Sequence, residues 1–240
     1  MSGNPFIDAF WDSDFIGKII FIGLILLSIV SWSVLLHKMW MAKKVRALSH
    51  SFKRAFQENR QRPLSIAFAA PKSHDCPNAF MIIYEVLKHT SEEIFTKNSK
   101  GQADNKQTER WMSTADITLL EAQAGSTISS ITKYLEKNLY ILSTIVTLAP
   151  FLGLLGTVYG ILVTFSTMHG GDAQAASNQA VLSGLSLALT TTVLGLIDAI
   201  PALIGYNYLK NQFADFDHEM DTFATDVLST FELSFRTVEV

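Results

Sequence analysis

The chain has 240 residues, 48% of them apolar and 17% charged, with a formal net charge of -3. That balance leans toward the membrane class, and the charge gives no reason to propose a nucleic-acid partner. Cys76 is the single cysteine, which excludes an intrachain disulfide. With no cysteine cluster and no paired-histidine spacing, neither a metal site nor a cofactor is expected.

The apolar residues gather into three stretches, 15–36, 139–168 and 181–209. Each can cross a bilayer core, which takes about 20 residues at roughly 1.5 Å of rise per residue. The fold predicted is an all-α membrane protein with three transmembrane helices and long helical extensions. Segment 1–14, with Asp8, Asp12 and Asp14, precedes the first span. No Lys or Arg stands before Lys18 and no small-residue cleavage site closes the apolar run, so that run reads as a retained span and not as a secretory signal.

Between the first and second spans lies a region, 37–138, that is predicted to be helical. Val45, Leu48, Phe52 and Phe56 recur at spacings of three and four and predict a helix continuing from the first span. Pro63, Pro71 and Pro77 punctuate the chain, and the polar run from Lys97 to Thr108 reads as a loop. From Glu109 no proline intervenes before Pro150, which predicts one long helix running into the second span. A short connection, 169–180, separates spans two and three. The tail, 210–240, repeats Phe213, Phe216, Met220, Phe223 and Val227 between acidic residues, a helix with one apolar stripe suited to packing in a bundle.

Orientation follows from the basic residues. Of the 19 Lys and Arg, 16 lie from Lys38 to Lys137, and those near span ends are retained on the cytoplasmic side. The N-terminus and the 169–180 connection are therefore expected outside, and the middle region and C-terminal helix in the cytoplasm.

Within span two, Gly153, Gly156, Gly160 and Thr164 recur every three or four residues. Span three matches them with Gly184, Ala188, Thr191, Gly195 and Ala199. Such stripes let helices approach closely where lipid supplies no hydrophobic drive for association. Pro150 and Pro201 are expected as kinks. Thr157 and Thr192 each lie about 11 residues, or roughly 16 Å, from the outer end of their span, and so share a level near mid-membrane. A hydroxyl there can serve only the neighbouring backbone, or it can line a pathway. Asp198 is the one carboxylate inside a span, on the helical face of Thr191 and Gly195. Its depth of roughly 25 Å places it near the cytoplasmic edge of the core, within reach of water.

The stretches Thr147-Leu-Ala-Pro-Phe-Leu-Gly-Leu-Leu-Gly-Thr-Val-Tyr-Gly-Ile161, Leu189-Thr-Thr-Thr-Val-Leu-Gly-Leu-Ile-Asp-Ala-Ile-Pro201 and Ser28-Ile-Val-Ser-Trp32 resemble the TolQ and ExbB family of proton-driven motor subunits, distantly related to the stator protein MotA. The resemblance covers all three spans in order. It implies a bacterial inner-membrane pentamer around a central pore that holds a dimer of single-span TolR- or ExbD-like partners. Each partner bears a protonatable Asp, and the complex acts on a TolA- or TonB-like protein. It also implies that Thr157 and Thr192 line the proton pathway; Thr191 beside them, and Asp198 as the one carboxylate inside a span, are further candidates read from the spans themselves. The family often carries a Glu five residues before the span-three threonine, where this chain has Leu187. The short segment before span one sides with TolQ. The function so implied couples the proton gradient to work at the cell envelope, in outer-membrane integrity, division or TonB-dependent import.

A passive membrane scaffold that gathers partners through its cytoplasmic helices is the competing reading. An intramembrane enzyme is disfavoured, because the spans hold no Ser-His or paired-carboxylate constellation, and His169 reads as an interfacial side chain. MotA-like chains have four spans, which disfavours a flagellar role.

Overall fold

The computed structural model describes residues 5–60, 64, 76–101, 111–169 and 174–235. Pro63, Pro71, Asp172, Arg236 and the run 102–108 lie outside the described residues, as do the side chains of Asp8, Asp12 and His169. Among the described residues there are six helices and no strand: α1 (Pro5–Asp12), α2 (Phe15–Glu58), α3 (Ala79–Gly101), α4 (Thr114–Glu136), α5 (Leu139–His169) and α6 (Gln174–Phe235). Three of them, α2, α5 and α6, are long and apolar enough to cross a membrane.

Local chemistry sets the helix ends. Pro5 opens α1, where its missing N–H costs nothing. The Asp14 carboxylate accepts the Gly17 N–H at 3.1 Å and so caps the first turn of α2. Ser113 caps α4 in a capping box, its hydroxyl accepting from the Asp116 N–H while Asp116 accepts from the Ser113 N–H. The long helix expected from Glu109 into span two is interrupted: α4 stops at Glu136, and Asn138 adopts a left-handed φ of 68°. Asn enters that region more readily than other side chains, and neither Gly nor Pro announces the break. Helix α6 begins at Gln174, earlier than its apolar run, and both α5 and α6 remain helical through Pro150 and Pro201.

The chain divides into two compact units. The first comprises residues 1–38 and 138–209. Its core joins Ile20 and Leu24 of α2, Ile145 and Ala149 of α5, and Ala199 and Ala202 of α6. A second apolar cluster brings Ala9 of α1 against Phe21 and Leu187.

The second unit comprises 39–137 and 210–240. Phe80 stacks on Phe223 and Phe216 with ring centroids 4.6 and 5.8 Å apart, and Phe56 meets Phe223 edge-on at 5.4 Å. The stripe read in the tail is buried throughout, as bundle packing requires. The acidic residues between its members are partly engaged. Arg46 binds Glu219 and donates to the Gln212 carbonyl at 3.0 Å, Arg60 pairs with Asp226 at 2.7 Å, and the Thr132 hydroxyl bonds Asp217.

Candidate proton-pathway site

Helices α5 and α6 meet along their small residues. A Cβ built on Gly160 would stand 2.6 Å from the Gly184 carbonyl oxygen and 3.0 Å from Ala188 Cβ. One on Gly153 would stand 3.0 Å from the Thr191 carbonyl oxygen, and one on Gly195 2.6 Å from that of Ala149. The two stripes therefore face each other within one chain. Gly156 completes the seam by leaving room for the Thr191 side chain, to whose Cβ a methyl group would come within 2.6 Å.

Thr157 and Thr192 face one another across this seam and their hydroxyls hydrogen-bond directly, so the two lie at one height. Thr157 Oγ1 also reaches the carbonyls of Ala188 at 3.1 Å and Gly153 at 3.3 Å. Thr192 Oγ1 reaches the same pair, Gly153 at 3.1 Å and Ala188 at 3.3 Å. Each hydroxyl carries one proton and two lone pairs. When one donates across the pair and the other donates to a carbonyl, lone pairs remain to accept from an outside O–H. If the second instead turns outward, the pair donates. The arrangement thus accommodates an acid in either protonation state by rotating O–H groups, without moving the backbone. Both residues are only partly buried, so a third group can approach them.

Thr191, grouped with them from sequence, is placed differently. It is wholly enclosed, and its hydroxyl donates within α6, to Leu187 O at 2.9 Å or Ala188 O at 3.1 Å. One residue along a helix is a rotation of about 100°, enough to turn its side chain from the open edge of the seam into its interior.

Asp198 is also corrected. It does not reach water at the edge of the core, because only 5% of it is exposed within this single chain. The contacts of α2 with α6 explain the enclosure. Leu187 lies against Gly17 and Gly205 against Leu35, both pairs separated by 170 positions, so the two helices run parallel in register. That register sets Asp198 opposite Ser28, whose side chain acts on the carboxyl.

Two contacts were not foreseen. The Tyr159 hydroxyl donates to Asp14, tying α5 to the residue that caps α2. Ser28 belongs to a span-one motif in which nothing marks it as facing Asp198. Partners so remote in sequence leave no periodic signal, although a capping Asp ahead of an apolar run is itself a legible helix start.

These features define a helical membrane protein whose second and third spans are fused by a small-residue seam carrying a paired-hydroxyl site. Residues 82–222 match the model of the MotA/TolQ/ExbB proton channel family, and the chain belongs to that family. It is 47% identical over 81 residues to the biopolymer transport protein ExbB of Aquifex aeolicus, a match covering 34% of this chain and 53% of the relative. The chain thus spans about half the length of that protein. Over most of its length it is 27% identical to the Tol-Pal system protein TolQ of Haemophilus influenzae, covering 92% of each. It is 26% identical to the ExbB of Salmonella typhimurium, covering 90% of this chain and 82% of the relative. Identity over the full length is therefore nearly equal for the two subgroups. Family and spans together make it an inner-membrane protein.

Proposed function

We propose that this chain is a proton-channel and motor subunit of an inner-membrane energy-transducing complex of the TolQ–TolR or ExbB–ExbD kind. In this reading the subunit forms a pentamer whose pore takes a dimer of single-span partners, each with one protonatable Asp. The N-terminus lies in the periplasm and the C-terminal helix in the cytoplasm. Proton flow turns or shifts the partner, which acts on a TolA- or TonB-like protein to do work at the envelope.

The observation that carries the reading is the Thr157–Thr192 pair, two hydroxyls at one height that share two carbonyls and stay partly open. A partner carboxyl beside such a pair meets an acceptor when protonated and a donor when ionised. The cost of carrying a carboxyl group through hydrocarbon is thereby reduced.

The test uses the subunit co-reconstituted with its cognate partner in proteoliposomes under an imposed proton gradient. Thr157→Val and Thr192→Val keep the side-chain shape and remove one hydroxyl each. Each variant loses the hydroxyl–hydroxyl bond and one carbonyl bond to the facing helix, so at about 0.6 kcal/mol per interhelical bond in membranes the stability loss is about 1 kcal/mol per variant. The expected result is normal assembly with reduced proton uptake and reduced gradient-dependent movement of the partner. Undiminished coupling in both variants removes the threonine role. A partner whose conformation ignores collapse of the gradient points instead to a scaffold.

A further inference from the structure

Asp198 is not part of the threonine pair, and its surroundings set it apart from every other carboxylate described. It is 95% enclosed within one chain, since only 5% of its surface is exposed. Both carboxyl oxygens lie out of contact with solvent and complete no hydrogen bond among the described residues. The apolar side chains of Ile20, Leu24, Ile145, Ala149, Ala199 and Ala202 make up the neighbouring core. The polar group facing the carboxyl is the Ser28 hydroxyl, from α2.

We propose that Asp198 and Ser28 form a proton-binding site resident in this subunit, between α2 and α6. A bare carboxylate in that position has no donor facing it beyond the Ser28 hydroxyl and no counter-ion among the described residues. Along α2 the nearest basic groups are His37, nine residues from Ser28, and Lys18 and Lys38, each ten residues away, so all stand about 14–15 Å off along the helix. Asp14 lies farther still. Helix α5 bears no Asp, Glu, Lys or Arg from Leu139 to Met168, and the next charge on α6 is Lys210, about 18 Å onward. A proton added to one carboxyl oxygen creates an O–H that can donate to Ser28 Oγ, and it removes the buried charge in the same step. A further acceptor stands one residue away, because Pro201 has no N–H to give the Ile197 carbonyl.

The ligand is a proton and not a metal cation, for a reason of ligand count. Hard cations gather six or more oxygens, whereas the described residues supply at most four: two carboxyl oxygens, the Ser28 hydroxyl and the Ile197 carbonyl. Release reverses the step: the proton passes to water when the α2–α6 contact opens, and the carboxylate is then hydrated. The site belongs to α6 and α2, whereas the threonine pair belongs to α5 and α6, so the inference stands or falls separately from the proposed function.

The experiment takes the full-length subunit, purified without partner and placed in lipid nanodiscs. Infrared spectroscopy at mildly acidic and neutral pH reads the carboxylic-acid carbonyl stretch, and dicyclohexylcarbodiimide labelling with peptide mass mapping reads the same acid chemically. The expected result is an acid band that is lost in Asp198→Asn and shifted in Ser28→Ala, with a carbodiimide adduct on Asp198 that high sodium does not suppress. Overturning results are equally plain. Wild-type protein with no band sensitive to Asp198→Asn and no adduct holds no such proton, and protection by sodium makes the site a metal-cation site. Should Asp198→Asn fail to assemble, Ser28→Ala decides, because an unshifted band rules out the pairing.

Discussion

Replacing Gly195 by alanine adds one methyl group where α6 lies against the backbone of α5. Its Cβ would stand 2.6 Å from the Ala149 carbonyl oxygen and 3.3 Å from Gly153 Cα. Neither is the end of a side chain that can turn aside, so the helices must part by about 0.8 Å to restore ordinary contact, and a gap of that size forfeits roughly a quarter to a half of each opened pair's attraction. Lipid gives no hydrophobic drive to compensate. Overpacking of this kind costs about 1–3 kcal/mol. Alanine's better helix propensity returns up to about 1 kcal/mol, and Gly23→Ala measures that return, since nothing stands within 4 Å of a Cβ there. The difference between the two variants is therefore about 1–3 kcal/mol, or roughly 5- to 150-fold in an equilibrium constant. Reversible denaturation in mixed micelles, followed by tryptophan fluorescence, measures it. The same parting stretches the 3.1 Å bond from Thr192 to Gly153 three residues away, so coupling should fall with stability. Agreement of the two variants within about 0.5 kcal/mol would refute the seam as a backbone contact.

At the break between α4 and α5, Asn138→Gly should leave stability unchanged or slightly raised, because glycine accepts the left-handed φ of 68°. Asn138→Val should cost about 1–2 kcal/mol, read by the same denaturation. At the start of α4, burial opposes the Asp116 charge, but hydrogen bonds from the Ser113 backbone and hydroxyl and from Asn98 outweigh it and hold the carboxyl below its ordinary value. A depressed folded value stabilises the protein above the ordinary carboxylate range, near pH 4, and that contribution is lost as pH falls through the folded value. Asp116→Asn should cost about 1 kcal/mol at neutral pH and flatten the acid limb of the stability curve. An unchanged acid limb would place the capping contribution elsewhere.

How far these features were legible in the sequence depended on their range. The spans were legible because each is a long apolar run, and the seam because Gly153, Gly156 and Gly160 keep helical spacing against Gly184, Ala188 and Gly195. The common height of Thr157 and Thr192 followed from counting residues, since a helix converts number into distance. Rotation was legible only through register: Thr191 and Thr192 share composition and depth, but Thr191 keeps the spacing of the small-residue stripe with Ala188 and Gly195, and it is the one enclosed. The break at Asn138 carried no glycine or proline, and the start of α6 at Gln174 lay in residues polar enough to escape an apolar window. Least legible were contacts between remote segments, such as Tyr159 with Asp14 or Asp198 with Ser28, which no local pattern encodes.

Leu187 shows how this chain redistributes its polar groups. Where related proteins often carry a Glu, Leu187 is 3% exposed and packed with Ala9 and Phe21, while Gly17 lies close enough that a Cβ there would come within 3.0 Å of it. A carboxylate at that position would be enclosed among the apolar side chains of α1 and α2, so the apolar residue fits the packing that this chain builds at the start of α2. Asp198 is no positional replacement. Eleven residues make three helical turns, so it lies on nearly the same face of α6, about 16 Å farther along. An acid moved that far faces Ser28 instead of Gly17. On the proposed orientation it would lie in the inner half of the membrane, below the threonine pair, whereas Leu187 lies in the outer half.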